Sequence, residues 1–221
     1  MTFVRTAAVL GTCLILGMTM TACSQKKSAD STTHIEGAAV NAGGTFAVIE
    51  TSMGTLEILL YSDDAPKTVA NFVGLAEEKY FDGVMFHRVS RNFVIQGGDP
   101  TGKGTGGKSI YGKPYEDELN PATASFKAGY LKGVVAMAHP PRPNSNTSQF
   151  FIMLDDVRSL PKEYTIFGKV VKGIEVVDAI GMVDITPEMG PTDGRPKTPV
   201  VMKSVTIRRE GASPAAPQGG K

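Results

Sequence analysis

The segment FHRVSRNFVIQGGD at residues 86–99 constrains the fold and the function more than any other stretch of this sequence. Its apolar and polar residues alternate on either side of Ser90-Arg91-Asn92, which predicts two adjacent strands joined by a short loop. The alternation places Phe86 and Arg88 on one face of the first strand. One guanidinium is then expected beside apolar side chains and the amide of Gln96. Such a surface suits a largely apolar ligand with a carbonyl group, for example a proline-containing peptide.

Several further motifs follow this segment in order along the chain. They are GTGGKSIYG at 104–112, YEDE at 115–118, GVVAMA at 133–138, NSNTSQFFI at 144–152 and IFGKVVKG at 166–173. Together they resemble the signature of the cyclophilins, which are peptidyl-prolyl cis-trans isomerases. The resemblance implies an enzyme that acts on proline-containing peptides without a cofactor or a metal. The alternative is a cyclophilin-like module that binds proline-containing segments without turning them over.

The resemblance also implies roles for individual residues. Arg88 is the expected catalytic residue, because its guanidinium can donate to the proline carbonyl and to the nitrogen lone pair that the twisting amide releases. The barrier of about 18–20 kcal/mol comes from amide resonance, so a hydrogen bond that strengthens in the twisted state lowers it. The proline ring is expected to bind on an apolar floor formed by Phe93, Val94, Phe151 and Leu160. Gln96 is expected to orient Arg88 and the substrate, and Ala138, His139 and Gln149 to form a rim that holds the neighbouring residues. Tyr164 is also expected in the site, where many cyclophilins carry histidine.

The sequence departs from the family pattern at several positions. Val94 replaces the more usual methionine, and HPPRP at 139–143 replaces a family run that is one residue shorter. Cyclophilins that bind cyclosporin tightly typically carry a tryptophan just before the leucine that corresponds to Leu160. This chain has Ser159 there and no tryptophan at all, so we expect weak affinity for cyclosporin.

Residues 1–22 predict a secretory signal rather than part of the fold. A weakly basic start precedes an apolar run at 6–20 that is too short for a comfortable membrane span. The sequence Met20-Thr21-Ala22-Cys23 resembles the lipobox of bacterial lipoproteins, in which the cysteine becomes the lipidated N-terminus. One alternative is a conventional signal peptide with an incidental cysteine. A second lipobox at Leu10-Gly11-Thr12-Cys13 would come too early.

These features predict a signal peptide at 1–22, a lipidated N-terminus with a flexible tether at 23–44, an isomerase domain at 45–210 and a disordered tail at 211–221. We therefore expect an extracytoplasmic monomer, held by its lipid to a bacterial cell membrane, and to the outer membrane in a cell with two. Its expected partners are unfolded exported proteins. Because Cys13 and Cys23 are the only cysteines, disulfides and cysteine catalysis are excluded in the mature domain.

Hydrophobic periodicity within 45–210 predicts a mainly β domain. A helix is expected from Pro66 to about Lys79 and a second helix at 174–180. The expected architecture is a closed eight-stranded antiparallel β-barrel with two capping α-helices, as the resemblance also implies. The predicted strands are Thr45–Thr51, 55–61, 84–89, 93–99, 134–139, 149–154, 165–171 and 200–208.

Other functions are disfavoured. Residues 102–109, GKGTGGKS, satisfy the phosphate-binding pattern GxxxxGK(S/T), but such a loop requires a helix that starts near Lys108. Gly112 and Pro114 interrupt the chain there, so we interpret the segment as a surface loop that borders the groove. The scattered histidines favour no metal site, and His87 is expected to be a hydrogen-bonded structural residue that faces away from the groove. A net charge of +1 gives no basic surplus for nucleic acid.

Overall fold

The computed structural model describes residues 44–211. The predicted signal peptide, Cys23, the tether up to residue 43 and the tail from residue 212 lie outside the described residues. Between residues 44 and 211 no helix is long and apolar enough to cross a membrane. The elements are β1 Thr45–Thr51, β2 Gly54–Leu60, α1 Pro66–Glu77, β3 Met85–Phe86, β4 Arg88–Ser90, β5 Val94–Gly97, α2 Ala124–Ala128, β6 Val134–Met137, β7 Phe150–Met153, β8 Ile166–Lys172, α3 Ile174–Gly181, β9 Ile185–Pro187, β10 Asp193–Pro196 and β11 Val200–Arg209.

The strands form one curled antiparallel sheet in the order β3-β11-β1-β2-β8-β6-β7-β5-β4-β10-β9. The predicted closed barrel of eight strands with two helices is therefore wrong, because residues 44–211 contribute eleven strands and three helices. The hydrogen-bonded order ends at β3 on one side and at β9 on the other. The expected strand 84–89 is broken at His87: β3 pairs with β11, whereas β4 pairs with β5 and β10.

The interruption at His87 also changes which side chains share a face. Phe86 and Val89 are both fully buried in the main core, whereas Arg88 between them is only partly buried. The predicted common face of Phe86 and Arg88 is therefore wrong, because a strict two-residue alternation does not continue through a broken strand. His87 itself is buried, and its Nδ1 has no hydrogen-bond partner within the described part of the chain. The predicted hydrogen-bonded role of this side chain is therefore wrong for Nδ1.

Two hydrophobic clusters fill the domain. The main core contains residues of the sheet and of helices α1 and α3, and in it the ring of Phe72 on α1 stacks on Phe81 with a centroid distance of 4.9 Å. The second cluster is smaller and supports one surface of the sheet. Its buried members are Val94, Tyr130, Val134, Ala136, Phe151, Met153 and Ile166.

Helix α1 is capped from a distant part of the chain. It begins at Pro66, as predicted, but its N-cap Ala65 offers no side-chain acceptor. The carboxylate of Glu118 instead accepts hydrogen bonds from the backbone N–H groups of Lys67 and Thr68, at 3.0 and 2.8 Å. A negative group at this end of a helix satisfies free N–H donors and complements the helix dipole. The YEDE motif at 115–118 therefore stabilises the helix.

Candidate active site

A cavity of about 660 Å³ opens along one side of the sheet. It brings together every predicted groove residue: Arg88, Phe93, Val94, Gln96, Ala138, His139, Gln149, Phe151, Leu160 and Tyr164. The cavity also touches the predicted surface loop, at Gly104, Thr105, Gly106 and Gly107. Sequence reasoning did not name the remaining lining residues, which are Pro114, Pro140, Arg142, Ser145 and Thr147.

Strand register explains why residues distant in sequence meet in this cavity. Arg88 on β4 lies opposite Gln96 on β5. The predicted turn at Ser90-Arg91-Asn92 is wrong by one residue, because Ser90 pairs with Val94 and the turn is formed by residues 91–93. Gln96 in turn lies opposite Phe151 on β7. Directly opposed residues in antiparallel strands point their side chains to the same face. A guanidinium, an amide and a phenyl ring therefore form one row across three strands.

A chain of hydrogen bonds orients the polar part of this row. Arg88 Nη1 donates to Gln96 Oε1 at 3.2 Å, and Gln96 Nε2 donates to Gln149 Oε1 at 3.0 Å. Gln149 Nε2 then donates to the carbonyl oxygens of Gly104 and Gly106, at 3.1 and 2.8 Å. Because both N–H groups of Gln149 meet carbonyl oxygens, its amide can point only one way. That orientation fixes the amide of Gln96 and presents its oxygen to Arg88.

Sequence reasoning missed a second partner of Arg88. Asp193 on β10 accepts hydrogen bonds from Arg88 Nε at 2.9 Å and from Nη2 at 2.6 Å. The Arg88 guanidinium lowers the pKa of the Asp193 carboxyl, which outweighs the opposing effect of burial. Asp193 lies 105 residues after Arg88, in a DGRP segment whose glycine and proline are typical of a turn. The local sequence therefore gives no signal for this contact.

The apolar side of the cavity is a wall of the second hydrophobic cluster. Phe93, Leu160 and Tyr164 are partly buried against this cluster, and Phe151 meets Tyr164 edge to face with a centroid distance of 5.6 Å. Tyr130 fixes the wall from behind, because its hydroxyl donates to the Tyr164 carbonyl and accepts from the Tyr164 N–H, both at 2.9 Å. Burial raises the pKa of Tyr130 to about 12, so it remains a neutral phenol at physiological pH.

The glycine-rich loop closes the polar end of the cavity and holds an internal carboxylate. Asp99 is fully buried and accepts from Gly106 N–H at 3.0 Å and from Thr101 N–H at 2.8 Å. A Cβ at position 106 would lie 2.2 Å from Asp99 Oδ1, so the backbone can come this close to the carboxylate only because residue 106 is glycine. The predicted loop bordering the groove is confirmed by its position in the lining. Within this loop the Gly106 N–H points to the Asp99 carboxylate, and Lys108 Nζ forms a salt bridge with the Glu78 carboxylate at 2.9 Å.

The segment 139–143, which departs from the family pattern, contacts Glu163 and Tyr164 through His139. His139 Nδ1 lies 2.7 Å from the Pro140 carbonyl oxygen, and Nε2 lies 3.1 Å from the Glu163 carbonyl oxygen. The imidazole also packs on Tyr164 with a centroid distance of 4.8 Å. His139, Pro140 and Arg142 all line the cavity.

Within residues 44–211 no group of three or more His, Cys, Asp or Glu side chains is arranged to hold a metal ion. His87 is absent from the cavity lining, in agreement with the predicted direction of its side chain. Burial, together with the charges of Arg195 and Arg88, lowers the pKa of His87, although Asp99 acts in the opposite sense. The chemistry that this cavity offers is therefore hydrogen-bond donation from Arg88 beside an apolar pocket.

The family model of the cyclophilin-type peptidyl-prolyl cis-trans isomerases matches residues 46–207. A "Peptidyl-prolyl cis-trans isomerase-like 1" of Neurospora crassa is 46% identical over 169 residues, which cover 75% of this chain and 96% of that protein. Its namesake of Homo sapiens is 48% identical over 145 residues, 66% of this chain and 84% of that protein.

Solved structures of this family are also similar to the chain. A cyclophilin-type peptidyl-prolyl cis-trans isomerase of Cryptosporidium parvum is similar with a TM-score of 0.67 and 33% identity, covering 75% of this chain and 98% of that one. The same protein in the presence of the dipeptide Ala-Pro has a TM-score of 0.66 and 34% identity, covering 74% and 98%.

Proposed function

Because the chain belongs to the cyclophilin-type peptidyl-prolyl cis-trans isomerase family, we propose that it isomerises X–Pro bonds with Arg88 as its catalytic residue. The observation that supports this role is that Arg88 and Gln96 lie beside an apolar wall in one cavity. The proline ring would pack on Phe151 and Leu160 of that wall. A proline-containing peptide is the proposed substrate, and a C. parvum relative has been solved in the presence of Ala-Pro.

The reaction breaks no covalent bond, so the protein has only to stabilise the twisted amide. When the C–N bond rotates, amide resonance is lost and the proline nitrogen gains a lone pair that can accept a hydrogen bond. The guanidinium of Arg88 donates to the proline carbonyl in the planar state and additionally to this nitrogen in the twisted state. A charge-assisted bond that forms only in the twisted state lowers the barrier directly.

The test is a protease-coupled isomerisation assay on an X-Pro peptide. Arg88→Ala is expected to lower kcat by at least about tenfold, which corresponds to about 1.4 kcal/mol of barrier. The matched control is Arg158→Ala, because Arg158 is an exposed arginine outside the cavity lining and should leave the rate unchanged. An unchanged rate in a folded Arg88→Ala protein would contradict the mechanism. A parent protein that binds the peptide without turnover would favour the non-catalytic module.

We propose further that the enzyme assists the folding of exported proteins as an extracytoplasmic monomer, attached to the membrane through a lipidated Cys23. The support is the lipobox-like sequence that ends at Cys23 after an apolar run of signal-peptide length. The family model begins at residue 46, so this part of the proposal rests on the sequence alone. Stable attachment needs more than one acyl chain, which a lipobox cysteine provides through its diacylglyceryl and N-acyl groups.

A further inference from the structure

We propose that Asp193 is a positioning residue for the isomerisation, which holds the Arg88 guanidinium in its working orientation. The inference rests on the proposed catalytic role of Arg88. Asp193 is not among the residues that line the cavity, so it would act only through the arginine.

The contact has the geometry of a rigid fork. Arg88 Nε and Nη2 donate to the two different oxygens of Asp193, at 2.9 and 2.6 Å. The planar guanidinium and the planar carboxylate match in such a bidentate pair, which fixes orientation as well as distance. The Asp193 side chain is only 14% exposed, so solvent competes little for this contact.

The fork determines which N–H groups of Arg88 remain for the substrate. A guanidinium carries five N–H donors. Asp193 takes two of them, on Nε and Nη2, and Gln96 takes one on Nη1. One N–H on Nη1 and one on Nη2 are left, and these two lie on neighbouring nitrogens. Asp193 and Gln96 together therefore leave two N–H groups of the guanidinium for the twisting amide.

Asp193 is itself held by the β9–β10 hairpin. Asp193 pairs with Ser90 on β4, and the Arg91 N–H donates to the Thr192 carbonyl at 2.9 Å. A Cβ on Gly194 would lie 2.1 Å from the Thr186 carbonyl oxygen, so the two strands of the hairpin pack as closely as glycine allows. Arg195, two residues along the same strand face, donates to the Gly102 carbonyl. The hairpin thus connects Arg88 to the glycine-rich loop.

A carboxylate next to the guanidinium has two opposing effects on the reaction. It reduces the net positive charge available to the substrate, and it prevents the long arginine side chain from sampling other rotamers. The first effect alone predicts a faster enzyme after removal of Asp193. The second predicts a slower one, because even a displacement of about 1 Å can be costly in a site that works by alignment. We expect orientation to dominate, since no substrate charge has to be neutralised.

The test variant is Asp193→Asn. Its amide oxygen can accept only one of the two N–H groups, and its NH₂ group faces the other donor. We expect kcat to fall about fivefold, with KM changed by less than about twofold, because the aligned hydrogen bond matters in the twisted state. The matched control is Glu188→Gln, which makes the same chemical change on the same hairpin. Glu188 pairs with Arg195 at 3.2 Å and does not contact Arg88, so the control should keep the parent rate.

A double-mutant cycle separates positioning from a structural role. In the Arg88→Ala background Asp193→Asn should lower the residual rate no further, because its effect passes through the arginine. Equal losses in both backgrounds, or an Asp193→Asn protein as fast as the parent, would overturn the inference. If Arg88→Ala alone keeps the full rate, the proposed function fails and the inference falls with it. If Arg88→Ala is slow while Asp193→Asn is as fast as the parent, only the proposed positioning role of Asp193 is contradicted.

Discussion

Replacing Asp99 with asparagine tests whether the glycine-rich loop beside the groove is held from within. The carboxylate accepts from Thr101 N–H and Thr101 Oγ1, both at 2.8 Å through Oδ1, and from Gly106 N–H at 3.0 Å through Oδ2. Burial alone would raise the pKa of Asp99, but the hydrogen bonds from Gly106 and Thr101 outweigh it and lower the pKa. Asparagine keeps one acceptor oxygen, while its NH₂ group takes the place of the other.

The size of the effect follows from these contacts. A hydrogen bond to a charged group contributes about 1.5–3 kcal/mol, and a buried donor left without an acceptor costs about 1–3 kcal/mol. The variant loses the bond from Gly106 and turns that N–H toward another donor, while the bonds from Thr101 survive in neutral form. We therefore expect the free energy of unfolding to fall by about 2–4 kcal/mol. The Gly104 and Gly106 carbonyls hold Gln149, so KM for the peptide should also rise.

The assay is urea denaturation of both proteins at pH 7 and at lower pH, with the exposed Asp63→Asn as control. The pKa of Asp99 is lowered in the folded state. Asp99 therefore contributes fully to the free energy of unfolding above its pKa in the unfolded state, about 3.9. This contribution is lost as the pH falls through its pKa in the folded state. The difference between parent and variant should shrink toward acid pH. A difference below about 0.5 kcal/mol at pH 7, or one independent of pH, would refute the reasoning.

Further outcomes are expected at other positions. Burial lowers the pKa of His87 below its ordinary 6.5, so the parent should lose stability as the pH falls below that value. His87→Gln should flatten this dependence, and parallel curves would contradict it. Ser159→Trp should tighten cyclosporin inhibition at least about tenfold, whereas nanomolar inhibition of the parent would show that residues 155–164 are misaligned with the family. Cys23→Ser should release the protein from membranes, and retention at high salt would contradict the anchor.

The parts of the site that lie close together in sequence could be predicted. Alternation and a short loop place Arg88 and Gln96 on neighbouring strands, which the structure confirms, although the turn lies one residue later than predicted. Phe151 joins the same row because β7 pairs with β5, a contact between distant segments. Only the resemblance to the cyclophilins gave this partner, since periodicity within one segment cannot identify a neighbouring strand.

The parts that could not be predicted depend on weak local signals. Strands β9 and β10 have three and four residues, and they contain Pro187, Gly194 and Pro196, which are poor strand residues. Asp193 was missed for this reason. Nothing in the local sequence marks the break at His87 either, because PheHisArgVal at 86–89 alternates normally. The break exists because β3 and β4 pair with different strands, which is a property of the whole sheet.

The rate of cis–trans exchange in the bound peptide is the most direct test of Arg88 as the catalytic residue. NMR exchange spectroscopy on a saturated X-Pro peptide measures this rate separately from the affinity. The proposed mechanism predicts that Arg88→Ala binds the peptide with a Kd within about threefold of the parent while exchange slows at least about tenfold. Exchange at the parental rate in the bound state would contradict it, as would a loss of affinity that accounts for the whole loss of rate.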